Sequence, residues 1–237
     1  MKSVFKKLSI AVTICFSLIL AACPGVNNPE PEITAGTITA TNLKEFVPGK
    51  NSAEMAANMT IGWNLGNTFD ATGKSGVACE NAWGQPTTTK EMIHGIRQAG
   101  FVTIRIPVSW HDHIKKGSST YEIEEAWINR VKQVVDWAME EGLCVIINMH
   151  HDNLSEAEMK NTSYGFDVTK DAAIQEKSQK YIAGVWKNVA EVFKDYDHSL
   201  VFELLNEPRD VNGSSWGNEW WVGGKNAKDA NTNEVPP

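Results

Sequence analysis

Cysteine is scarce in this sequence, with 4 residues in 237. Cys15 and Cys23 lie in the amino-terminal segment, which leaves Cys79 and Cys144 for the rest of the chain. Two cysteines build no disulfide framework, and spacing alone does not decide whether they pair. Basic charge is also short: 22 Lys and Arg face 29 Asp and Glu, for a net charge of −7. An acidic balance argues against nucleic acid and anionic membrane surfaces as electrostatic partners. No predicted strand is followed by Gly-x-Gly-x-x-Gly or by the Gly-x-x-x-x-Gly-Lys-Ser/Thr phosphate loop, which weighs against nucleotide-binding sheets. No internal sequence repeat is evident, and the one long apolar run is at the amino terminus.

That run carries its own signal. Lys2, Lys6 and Lys7 precede an apolar stretch from Leu8 to Ala22, the pattern of a secretory signal peptide over residues 1–22 rather than of a spanning helix. It ends Leu20-Ala21-Ala22-Cys23, which resembles a bacterial lipoprotein box. The resemblance implies cleavage before Cys23, lipidation of that cysteine, export across the inner membrane and a lipid anchor in the cell envelope or at the cell surface. Residues 23–44 are rich in Pro, Asn, Thr, Gly and Glu and read as a flexible tether. Loss of residues 1–22 removes three lysines and no acids, so the remaining charge is −10. Residues 45–237 form the folded domain.

Within that domain, strands and helices alternate. Thr60-Ile61-Gly62-Trp63-Asn64 reads as a strand that breaks into a polar loop. Thr88 to Glu91 has the Thr-x-x-Glu form of a capping box, followed by a helix with Met92, Ile93 and Ile96 on one face and Gly100 at its end. Phe101 to Ile106 is a second strand, stopped by Pro107. A second helix carries Trp127, Val131, Val134, Val135 and Ala138 at helical spacing and ends at Gly142. Leu143 to Met149 is almost wholly apolar, as expected of a parallel strand buried on both faces. A third helix turns Ile174, Tyr181, Val185, Val189 and Val192 inward. A fourth strand begins near Val201 and is expected to run to Pro208. The alternation predicts an α/β protein with a parallel sheet. On these grounds alone an open doubly wound sheet and a closed barrel both fit.

The strand ends carry the chemistry. They hold Asn64 and Asn67, then Arg105, then His150, His151 and Asp152, then Asn206 and Glu207. Ligands bind at the carboxyl ends of strands in parallel α/β folds, and polar groups at four successive ends point to one shared site. Pro208 pushes the residue before it toward an extended conformation, so Glu207 is expected straight at a strand tip, where a carboxyl group suits acid/base work. The sequences Gly62-Trp63-Asn64-Leu65-Gly66-Asn67-Thr68-Phe69-Asp70, Arg105-Ile106-Pro107-Val108-Ser109-Trp110, Asn148-Met149-His150-His151-Asp152 and Asn206-Glu207-Pro208-Arg209 together resemble glycoside hydrolase family 5, in its endo-β-1,4-glucanase and xyloglucanase branch. The resemblance runs from about Asn51 to Arg209. It implies a (β/α)8 TIM barrel, of which the first four β/α units are present, and retaining hydrolysis of a β-glucan: cellulose, mixed-linkage glucan or xyloglucan. Glu207 falls on the family's general acid/base, and Asn206 on the residue that holds the sugar 2-hydroxyl. Arg105 falls beside the nucleophile, and His150 and His151 fall on the sugar site. No cofactor is implied. Asn64 is counted with the substrate-binding residues. Trp110 is counted there too, because an indole face packs on a pyranose; the hydrophobic core is its alternative. Trp63, Trp83, Trp216, Trp220 and Trp221 also lie at strand ends or in loops, whereas Trp127, Trp137 and Trp186 lie in helices and are expected in the core.

A retaining glycosidase needs two carboxyl groups about 5–5.5 Å apart. The family's nucleophile is a Glu near the end of the seventh strand, and no seventh strand is read here. Glu219 is the nearest substitute, in a loop that gives it no support. Little hydrolysis by this stretch alone is therefore expected. Two other classes compete with this reading. A metal hydrolase would draw on His111, His113, His150, His151 and Asp152, but His111 and His113 lie in a polar loop with no further ligand, so no metal is expected. A non-catalytic, glycan-binding surface lipoprotein on a barrel scaffold is the alternative to the enzyme.

Overall fold

A computed structural model describes residues 45–162, 164–168, 171–209 and 211. The signal peptide, Cys23, the tether, Trp216, Glu219, Trp220 and Trp221 lie outside the described residues.

After a short helix α1 (Ser52–Met59) the chain alternates: β1 (Gly62–Asn64), α2 (Lys90–Gln98), β2 (Thr103–Ile106), α3 (Glu125–Glu140), β3 (Cys144–Asn148), α4 (Glu156–Thr162), α5 (Ala172–Val192) and β4 (Leu200–Glu203). Short 3-10 turns at Gly76–Asn81 and His111–His113 follow β1 and β2. The four strands are all parallel and stand in the order β1-β2-β3-β4. A doubly wound sheet reverses its order at a switch point. This sheet does not, so its order is that of a barrel wall.

Spacing explains the helices. α3 buries Trp127, Ile128, Val131, Val134, Val135 and Ala138, one stripe of a 3.6-residue period. α5 buries Tyr181, Val185 and Val189, and its Asp171 cap accepts from the amides of Ala173 and Ile174. Gly100 (φ 97°) and Gly142 (φ 70°) follow α2 and α3 in the left-handed conformation that suits glycine after a helix. The cap of α2 differs from expectation by one residue. Thr89, not Thr88, accepts from the Met92 amide. Thr88 is buried, and its own amide donates to Glu80 Oε1 at 2.7 Å. Glu80 is buried in turn and takes both Nε and Nη2 of Arg130 at 2.9 Å, clamping the loop before α2 onto α3. Cys79 and Cys144 are both buried free thiols.

The fourth strand also departs from expectation. β4 ends at Glu203, not at Pro208. The chain then bends at Asn206 and Glu207, and Glu207 takes φ 43° rather than an extended conformation. Tertiary ties override the local preference: Asn206 N donates to Met149 O and Arg209 N to Asn153 Oδ1, each at 2.8 Å, on either side of the bend. A left-handed non-glycine residue costs about 1–3 kcal/mol and persists where its surroundings over-determine it.

Register puts the polar residues in rows. Asn64 pairs with Arg105, Arg105 with Ile146, and Ile146 with Val201. Side chains alternate faces along a strand, so Glu203, two residues beyond Val201, points to the same face as Arg105. The opposite face carries Ile104, Ile106, Val145 and Ile147, all buried under the helices.

Candidate active site

Arg105 gathers the strand ends. Its Nε donates to Glu203 Oε2 at 2.7 Å and its Nη2 to Glu203 Oε1 at 2.6 Å. Nη1 reaches Asn64 Oδ1 and Nη2 reaches Asn206 Oδ1, both at 3.0 Å. One planar guanidinium thus ties together the ends of β1, β2 and β4 and the loop after β4, a use that suits a fork of fixed donors. The structure brings Asn64, Arg105 and Asn206 into direct contact. Burial disfavours the charged form of Glu203, but the hydrogen bonds from Arg105 and Asn148 outweigh it and hold its pKa below the ordinary value. The Glu203 hydrogen bond, against a smaller cost of burial, raises that of Arg105. Glu207 differs: its side chain is 53% exposed, with Arg209 Nη1 at 3.7 Å from Oε2. Two carboxyl groups four residues apart in sequence therefore sit in unlike surroundings, one locked into an ion pair and one open.

Two histidines follow β3. Nε2 of His150 and Nε2 of His151 each lie 3.9 Å from Asp70 Oδ2, and the two rings meet edge to face. Asp70 is buried at the end of the β1 loop, where its Oδ1 accepts from Thr68 N at 2.9 Å. Ligand-type atoms of Asp70, His150 and His151 fall within 4.8 Å of one another. His111 and His113 do not join them. Asp152 Oδ1 takes the amides of Trp110 and His111 and His111 Nδ1, all at 2.8 Å. Burial opposes protonation of His111, but Asp152 outweighs it and raises the pKa. His113 stacks on Trp127 with ring centroids 3.7 Å apart. The five-residue metal cluster therefore does not assemble.

Trp110 lies in the hydrophobic core. It is fully buried, and its indole Nε1 donates to Asn148 O at 2.9 Å. The residue belongs to the core, because the β2 loop folds back under β3 and spends the indole N–H on a strand carbonyl. Among the described residues, Trp63 and Trp83, 45% and 43% exposed, are the tryptophans with an open face. Trp83 lies against His151, ring centroids 5.4 Å apart, beside the polar cluster. Sequence reading overlooked Glu203 and the role of Asn148. The available signal for Glu203 was an ionisable residue inside the apolar run Val201-Phe202-Glu203-Leu204.

Burial pushes His113 and His150 down to about 4, helped at His150 by the charges of His151 and Arg105, and burial lowers His151 as well. The sign follows from linkage. A histidine held neutral in the fold gains its proton only in the unfolded chain, so stability is lost as pH falls from about 6.5 toward about 4. For His113, enclosed and with neither ring nitrogen hydrogen-bonded, the loss by pH 4 is on the order of 3 kcal/mol. Urea unfolding at neutral and acid pH should show this loss, and His113→Phe, which keeps the stack, should flatten it markedly. An unchanged pH slope in His113→Phe would refute the assignment.

Comparison with known proteins fits this geometry. The family model described as Cellulase (glycosyl hydrolase family 5) matches residues 64–235. The chain belongs to glycoside hydrolase family 5. It is 42% identical over 197 residues to endoglucanase A of Ruminococcus albus, covering 82% of this chain and 50% of that protein. It is 37% identical over 212 residues to endoglucanase A of Paenibacillus barcinonensis, covering 90% and 48%. Among solved structures, a family 5 lichenase from a Caldicellulosiruptor species superposes with TM-score 0.63 at 38% identity, covering 82% of this chain and 48% of that one. A broad-specificity endoglucanase from Ruminococcus champanellensis, with bound cellotriose, gives TM-score 0.63 at 34% identity over 73% and 48%. The chain thus spans about half the length of these relatives. The family 5 likeness and the unreversed strand order together identify the sheet as four strands of a TIM-barrel wall.

Proposed function

We propose that this chain carries the acid/base side of a retaining endo-β-1,4-glucanase site, with Glu207 as general acid/base and Asn206, Arg105, Asn64, His150 and His151 as the groups around the sugar. The observation that carries the reading is the Arg105 hub, which holds Asn64, Glu203 and Asn206 at one sheet edge. A glycosidic oxygen leaves only with a proton, and Glu207 has the exposure to deliver one and take one back. The imidazoles, neutral at working pH, hydrogen-bond hydroxyls. Glu203 is a poor nucleophile here: Oε2 is held by Arg105 and Oε1 by Arg105 and Asn148. The nucleophile is accordingly assigned to a seventh-strand Glu that these 237 residues do not include. Relatives named as endoglucanases, and a neighbour solved with cellotriose, support a β-glucan substrate.

The test separates binding from turnover. The purified 237-residue chain is expected to bind cellotetraose and to hydrolyse carboxymethyl-cellulose little or not at all. Absence of binding by calorimetry would overturn the β-glucan reading. Turnover comparable with a relative, lost in Glu207→Gln, would overturn the assignment of the nucleophile.

Localisation is a separate proposal. The segment Leu20-Ala21-Ala22-Cys23 supports lipidation of Cys23 and anchoring at the cell envelope. Cells fed a labelled fatty acid should mark the parent protein and not Cys23→Ala. Equal label in both would refute the anchor.

A further inference from the structure

Asn148 and His150 stand in a relation that fixes where an imidazole carries its proton. Asn148 is wholly buried at the end of β3. Its Oδ1 accepts from the Val108 amide at 3.0 Å. A backbone N–H only donates, so this contact settles which end of the amide is oxygen. The NH2 group then faces the site, 3.0 Å from His150 Nδ1 and 3.2 Å from Glu203 Oε1. An NH2 group only donates as well, so His150 Nδ1 must offer a lone pair, and the single proton of the neutral ring sits on Nε2.

We propose that Asn148 is a positioning residue that locks His150 as the neutral Nε2–H tautomer, giving the site a donor of fixed identity for a sugar hydroxyl. This rests on the β-glucan reading above for its ligand, though not for the tautomer itself. The 3.9 Å between His150 Nε2 and Asp70 Oδ2 is too long for a direct hydrogen bond. A hydroxyl placed between them would accept from Nε2–H and donate to the carboxylate, satisfying both. The same lock works against a cation at Asp70, His150 and His151. Coordination by Nε2 needs a lone pair there, and the proton moved to Nδ1 would meet the NH2 of Asn148.

The test is spectroscopic. In the full chain, labelled at histidine and held at neutral pH, long-range nitrogen–proton correlation reads the tautomer of each ring. His150 is assigned by the signal missing from His150→Gln. Nδ1 is expected as the unprotonated nitrogen and Nε2 as the protonated one; a proton on Nδ1 overturns the proposal. Asn148→Asp keeps an acceptor for Val108 N but replaces the donor facing His150 with an acceptor. The proton is expected to move to Nδ1, and cellotetraose binding to weaken about tenfold. An unchanged tautomer in a folded Asn148→Asp overturns the proposal; if that variant does not fold, the parent spectrum still decides. An Nε2–H signal without cellotetraose binding would sustain the lock and sink the β-glucan reading, whereas binding with an Nδ1–H signal would sink the lock alone.

Discussion

Replacing Glu207 by alanine, in a protein that supplies the complete barrel, is expected to slow hydrolysis of unactivated β-glucan by about 10²–10⁴-fold, the usual contribution of one general acid/base. The reason is the leaving group. A glucan alkoxide departs only when protonated, and Glu207 is an open carboxyl at this edge, while Glu203 is tied to Arg105 at 2.6 and 2.7 Å. The effect should depend on substrate. An aryl glycoside with a good leaving group needs little acid help, so its first step should survive and the glycosyl-enzyme should accumulate as a burst. Azide, which attacks without a base, should then restore turnover and yield a glycosyl azide with retained configuration. Stability should change little, since the Glu207 side chain is half exposed. Parental rates on unactivated glucan in Glu207→Ala would remove the assignment.

Trp110→Ala is expected to lower stability by about 3–5 kcal/mol, the range for deleting a large buried aromatic. The side chain is enclosed, and its loss also strips Asn148 O of the indole donor at 2.9 Å. Trp63→Ala makes the contrast: at 45% exposure it should stay within about 1 kcal/mol of the parent. Urea midpoints measured at unchanged slope report both. If Trp110 were a sugar platform, the pattern would invert: Trp110→Ala would fold as the parent does and lose affinity for cellotetraose. Near-parental stability of Trp110→Ala would therefore return the residue to the binding surface.

How far the site was legible from sequence depends on which residues set each feature. The stripe of α3 from Trp127 to Ala138, the glycines at 100 and 142 that follow helices, and the buried run of β3 are fixed by neighbours within a few residues, and all appear where expected. Polar strand ends were legible for the same reason, since a strand that stops in Asn, Arg or His announces its edge. The sequence alone thus determined the α/β alternation and the set of motifs that marks the family. What it could not determine rests on partners far apart in the chain. Arg105 meets Glu203 across 98 positions and Trp110 meets Asn148 across 38, so neither the ion pair nor the buried indole has a local signature. The one-residue shift of the α2 cap came from Glu80 claiming the Thr88 amide, and the bend at Glu207 from ties to Met149 and Asn153. Tertiary structure decided these because a buried hydrogen bond or ion pair is worth more than the local preference it overrides. Which carboxylate is locked and which is open, and which tryptophan is core and which is surface, became readable only when the strands stood side by side.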